Sequence, residues 1–254
     1  MSYQPATKKR RWVGPVIVVV VLIGLVLAAF FVAEKLARDA AGGIIAPAVR
    51  DALGSTSSVD VDLGPGLLLV QAAGGSLDRV TISTDGLPVG AGSAELVLVA
   101  EGLPLDMGGT ADAVHATVSL DATALQSVVP VGSTVAFAEG SFVVTSQADL
   151  GGVPTPVDLT VVPTAAEGVI TLEVTAMSVD GTPVALEDVR NGAYGAAAAA
   201  LVAPAPLCVS SYLPAALVLS SAAVEGERLV LDFEAAAVKL GSLSTKGTCP
   251  VAAA

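Results

Sequence analysis

Residues 114–129 read VHATVSLDATALQSVV, and the pattern changes once along them. Val114, Ala116, Val118 and Leu120 alternate with His115, Thr117 and Ser119, the period of a strand with one apolar and one polar face. Asp121 then stands where a helix N-cap belongs, and Leu125, Val128 and Val129 follow at helical spacing. A strand with a wet face belongs to an antiparallel sheet, because parallel strands are covered on both sides.

The same alternation recurs outward in both directions. It is carried by Val59, Val61 and Leu63, by Val80 and Ile82, and by Val157, Leu159 and Val161. It returns at Ile170, Leu172 and Val174 and at Leu229, Leu231 and Phe233. Asp85-Gly86, Gly151-Gly152, Asp180-Gly181 and Glu225-Gly226 punctuate these runs and read as turns. VTISTDGLPVG from Val80 and VTAMSVDGTPVAL from Val174 echo one another, each a strand, an Asp-Gly turn and a Pro-containing bend. Helices are expected at residues 34–53, with an apolar stripe at Leu36, Ala40, Ile44 and Ala48, and at Glu187–Val202. The sum is an α+β chain: a long antiparallel sheet with a few helices.

The N-terminal region is of another kind. WVGPVIVVVVLIGLVLAAFFVA, residues 12–33, holds no charge and has the length of a single transmembrane helix. Lys8, Lys9, Arg10 and Arg11 precede it and predict a cytoplasmic N-terminus. The competing reading is a cleaved signal peptide, with Val26-Leu27-Ala28 as its processing site. Either way the remainder lies outside the cytoplasm. The division expected is a basic tail over 1–11, a signal anchor over 12–33 and an extracytoplasmic domain over 34–254. In that compartment Cys208 and Cys249 are expected to pair, the alternative being two free buried thiols. A disulfide there closes a loop of about forty residues and contributes roughly 3–4 kcal/mol in the chain-entropy model.

Composition excludes several functions. The chain has 53% hydrophobic and 14% charged residues, which no disordered chain shows. From Glu34 onward 8 basic residues face all 24 acidic ones, a balance of −16, so phosphate-backbone recognition is not expected. One His and two Cys leave no His-rich or Cys-rich metal site, and no metal or cofactor is expected. His115, the sole His, falls on the wet phase of its strand, and no G-x-S-x-G elbow, Walker A or H-E-x-x-H occurs. Only 4% of residues are aromatic, too few for the platforms of a sugar cleft. The expectation is a protein that is not an enzyme. Its surplus is aliphatic: walls of Val, Leu and Ala on a sheet curled around helices leave an elongated tunnel for an acyl chain, or close on themselves as an ordinary core.

GGSLDRVTISTDGLPVGAG, Gly74 to Gly92, resembles a signature of the LmeA-like phospholipid-binding proteins of the actinobacterial cell envelope. HATVSLDATALQSVV, the region around SVDGTPVALED and the closing LSTKGTCP are similar too, so the resemblance spans roughly residues 34–250. It implies a tubular lipid-binding fold, in which a highly curved sheet wraps helices. The function it implies is extracytoplasmic binding, and shuttling, of phospholipid. Arg79 of the signature is the candidate headgroup contact. Val80, Ile82, Val118, Leu120, Phe142, Val144, Leu172, Val174, Leu231 and Phe233 are the candidate acyl-chain contacts. The partners expected are the membrane and a phospholipid or other acyl-chain lipid. The alternative is a scaffold module with a solid core that binds an envelope protein.

Overall fold

The computed structural model describes residues 29–43, 46–47, 50–51, 57–89, 92–106, 108–126, 129, 132–149, 154–166, 168–191, 202, 205–208, 215–242, 245 and 247–248. Residues 29–43 form helix α1. Then come β1 (Asp60–Asp62), α2 (Leu68–Gly74), β2 (Ser76–Val89), β3 (Gly92–Pro104), β4 (Thr110–Leu120) and α3 (Ala122–Gln126). They are followed by β5 (Thr134–Ala138), β6 (Ser141–Asp149), β7 (Pro154–Ala166), β8 (Val169–Val179) and β9 (Thr182–Val184). The remainder is α4 (Leu186–Arg190), β10 (Ala205–Cys208), β11 (Val218–Glu225) and β12 (Arg228–Lys239).

The described strands form two antiparallel sheets, where one long curved sheet was expected. The first runs β1-β2-β3-β4-β12-β11, and the second runs β10-β8-β7-β6-β5 with β9 paired to β8. Alternation explains the arrangement. Leu96, Ala116, Leu120, Leu229, Leu231 and Phe233 line one face of the first sheet, and Phe142, Val157, Leu159, Val161, Ile170 and Val174 one face of the second. All twelve belong to one buried cluster, and β11 lies against β7. Among the described residues α3 and α4 have five residues each, and Val189 of α4 joins the same cluster, so the apolar faces of the two sheets meet in one core. Mostly antiparallel strands with few helices keep the α+β class. The single curved sheet that was expected is corrected to two sheets that share one buried cluster.

Each outer face carries the same device. In the first sheet Asp232 of β12 accepts from Thr117 of β4 at 2.8 Å and from Ser221 of β11 at 2.7 Å. In the second Asp158 of β7 accepts from Thr145 of β6 at 2.7 Å and from Ser178 of β8 at 3.0 Å. In both cases the three residues are directly paired across neighbouring strands, with the aspartate in the middle. One carboxylate oxygen serves each neighbour, which pins the register of three strands.

Several expectations are corrected. Asp85-Gly86 is not a turn: β2 runs through it with a bulge between Thr84 and Leu87, where the Gly86 N–H donates to Thr84 Oγ1. Asp180-Gly181 is a true two-residue hairpin turn, with φ of 50° and 72° and Val179 paired to Thr182. The expected helix over Glu187–Val202 is helical at Leu186–Arg190, and residues 192–201 lie outside the described residues. The helix after Asp121 forms as expected, with the Ala124 N–H donating to Asp121 Oδ1 at 2.7 Å. Of the expected membrane span, residues 12–28 lie outside the described residues. Among the described residues no helix is long and apolar enough to cross a membrane.

Candidate functional site

The apolar cluster that the two sheets share is the candidate site. Its centre is closed: Phe142 is 2% exposed, Phe233 4% and Val174 5%, with Leu120 and Leu231 buried beside them. Phe137 of β5 stands directly opposite Phe142 of β6, and the rings meet edge to face at 6.4 Å. Around this centre is a half-buried margin from both sheets, which includes Leu98 and Val118 of the first and Val135, Val144 and Leu172 of the second. These side chains pack on the core with part of their surface still open. An aliphatic margin of this kind gains about 0.8 kcal/mol for each methylene it buries and asks for no polar partner.

Eight of the ten expected apolar contacts meet in this one cluster: Val118, Leu120, Phe142, Val144, Leu172, Val174, Leu231 and Phe233. Val80 and Ile82 do not. They pack in a separate cluster with Leu63, Leu68 and Leu77, against Ala37 and Ala41 of α1. Arg79 points to the opposite face of β2, where it pairs with Glu101 on β3 and is half exposed. The Arg79 guanidinium, by hydrogen bond and by charge, holds the Glu101 carboxyl below the usual glutamate range. His115 is exposed on the outer face, 4.0 Å from Glu234, as its strand phase requires. Cys249 lies outside the described residues, and Cys208 sits on β10.

The smaller cluster is tied down by a charge pair that sequence reading missed. Glu34, 6% exposed, accepts the backbone N–H groups of Leu68 and Leu69, the latter at 3.0 Å. Arg38, one turn along α1, donates to Glu34 at 2.9 Å and to the carbonyls of Gly64, at 2.7 Å, and Gly66. α2 has no cap of its own, because its N-cap residue is Leu67. Glu34 therefore satisfies donors at the start of α2 from 34 residues away. The Leu69 amide first, then the Leu68 amide and Arg38, lower the Glu34 pKa, and burial opposes them without prevailing. The only local signal was Glu34 and Arg38 at i, i+4.

A sequence model of LmeA-like phospholipid-binding proteins matches residues 32–234. No curated protein and no solved structure gives a significant match. The matched span begins two residues before Glu34, takes in both sheets and stops at Glu234 in β12. It thus contains all of the candidate site, and the chain belongs to the LmeA-like phospholipid-binding family.

Proposed function

We propose that this protein is a membrane-anchored, extracytoplasmic phospholipid-binding protein of an actinobacterial cell envelope, and that it shuttles lipid for envelope assembly. Residues 12–33 are its single transmembrane helix, with the N-terminus cytoplasmic, and 34–254 is the binding domain. The protein acts by binding and not by catalysis. Acyl chains partition from the bilayer into the space between the sheets, entering at the half-buried margin of Val118, Val144 and Leu172. That margin, continuous with the buried centre, is the observation that carries the reading. Cys208 and Cys249 pair and staple the C-terminal tail to β10.

The test is solvent extraction of the full chain purified from membranes, with mass analysis of the extract. Phospholipid in stoichiometric amount is expected. The second reading is a scaffold module that binds an envelope protein, and the nearly complete burial of Phe142, Val174 and Phe233 favours it. A lipid-free chain that takes up nothing from added vesicles would decide for that reading.

A further inference from the structure

The outward face of α2 has the wrong chemistry for water. LLVQAAG holds one polar side chain, Gln71, and that side chain is half buried, its Oε1 accepting from the Asp78 N–H. Leu67, Leu69 and Val70 are 41%, 37% and 57% exposed. Leu105 is 53% exposed, and its N–H donates to the carbonyl of Gly75, which caps the other end of α2. Four large apolar side chains thus lie open along one short helix and its cap, an arrangement that marks a contact surface.

The position of this face identifies what covers it. Glu34, which holds the Leu68 and Leu69 amides, is the residue immediately after the uncharged run 12–33. The start of α2 is therefore one side-chain length from the point where that run ends. We propose that Leu67, Leu69, Val70 and Leu105 seat the folded domain on the bilayer by dipping into its interfacial layer. This proposal rests on the reading of residues 12–33 as an anchor. The attraction is apolar: the region after Ala33 carries 8 basic against 24 acidic residues, so an anionic surface does not draw it in. The Glu34–Arg38 clamp makes the seat rigid, because it fixes α2 to the helix that continues from the anchor.

Tryptophan quenching in the full chain tests this. The chain has one Trp, Trp12, inside the uncharged run. The chain is reconstituted into phosphatidylcholine–phosphatidylglycerol vesicles with or without dibrominated acyl chains. Quenching of Trp12 in the natural chain reports the anchor. A Trp12→Phe, Val70→Trp chain reports the seat, and Trp12→Phe, Leu67→Trp repeats it should the first fail to fold. Trp12→Phe, Glu227→Trp is the control. Its turn joins β11 to β12 at the other end of the first sheet, about 35 Å away along strands of this length. The Val70→Trp emission is expected to fall by about half in brominated vesicles, the loss for a side chain ~5–10 Å into the boundary, with the Glu227→Trp emission unchanged. Trp12 quenched with Val70→Trp and Leu67→Trp unquenched overturns the seat and leaves the anchor standing. Trp12 unquenched overturns the anchor and the seat with it. A blue-shifted but unquenched Val70→Trp emission assigns the face to a second protein surface, and also overturns the proposal.

Discussion

The Glu34 carboxylate accepts the backbone N–H of Leu69 at 3.0 Å, across 35 positions of chain. The bond ties α1, which carries the end of the uncharged run 12–33, to α2 on the first sheet. It also favours the ionised form of Glu34 in the folded state, so its pKa lies below the ordinary 4.5. The stability it contributes is full above that ordinary value and is lost as pH falls through the lowered folded value. Amide protection at Leu68 and Leu69 should therefore drop on acidification below about pH 4.5 in the natural chain. Glu34→Gln should be less protected at neutral pH and flat across the same window. Hydrogen exchange of the two chains at matched pH checks this, and parallel profiles would refute it.

Gly64→Ala should destabilise the chain by at least about 1 kcal/mol, the cost of placing an L side chain in the left-handed region. Gly64 has φ of 72°, and an added Cβ would lie 3.0 Å from the Arg79 carbonyl oxygen. The same carbonyl group that Gly64 offers to Arg38 would shift with it. A lowered thermal midpoint, with α2 less protected, is the expected result.

Asp232→Ala and Asp158→Ala should each cost about 1–3 kcal/mol, since each leaves two hydroxyls without a charged acceptor. The two aspartates sit on different sheets, so the double variant should lose the sum to within about 0.5 kcal/mol. Denaturant unfolding of the four chains measures this. Strong non-additivity would mean that the sheets are coupled through more than their shared core.

Phe142→Ala and Leu172→Asp should separate stability from binding. Phe142 is 2% exposed, and its truncation should cost about 3–5 kcal/mol. Leu172 is half-buried at the margin, so Leu172→Asp should lower the phospholipid recovered per chain while a folded chain remains. Unchanged lipid content in folded Leu172→Asp would remove the margin as the entry point.

Reduction of the purified full chain should raise its mass by the two hydrogens of one opened Cys208–Cys249 bond, and Cys249→Ser should abolish that change. An unchanged mass on reduction would leave both thiols free.

Alternation alone located β1, β2, β4, β7, β8 and β12, because each has a stretch with apolar residues on one face and mainly polar ones on the other. It missed β3, where Val97 and Val99 on the outer face hide the period inside LVLVA. It also fails at one end of the first sheet. Leu77 and Val80 share a cluster although three apart, as do Ala111 with Val114 and Ala235 with Val238. The phase slips in step on neighbouring strands, with left-handed φ at Gly102 on β3 and Ala237 on β12. The pairing continues on both sides, Arg79 with Glu101 and Leu77 with Leu103. Local pattern cannot reveal such a kink, because it is a property of adjacent strands and not of one.

By itself the sequence determined that the chain is built on two-faced antiparallel strands, that its charge is segregated and that its signature is that of a phospholipid-binding family. Those features are local: they depend on residue spacing along one segment. Only the tertiary structure decided that the strands divide into two sheets whose apolar faces share one core. It also decided that Val80 and Ile82 join α1 and not the central core, and that Arg79 faces Glu101. Glu34 took up the amides of α2 for the same reason. An apolar face must be covered and a helix end must be satisfied, but which distant segment does it is fixed only by packing the whole chain at once.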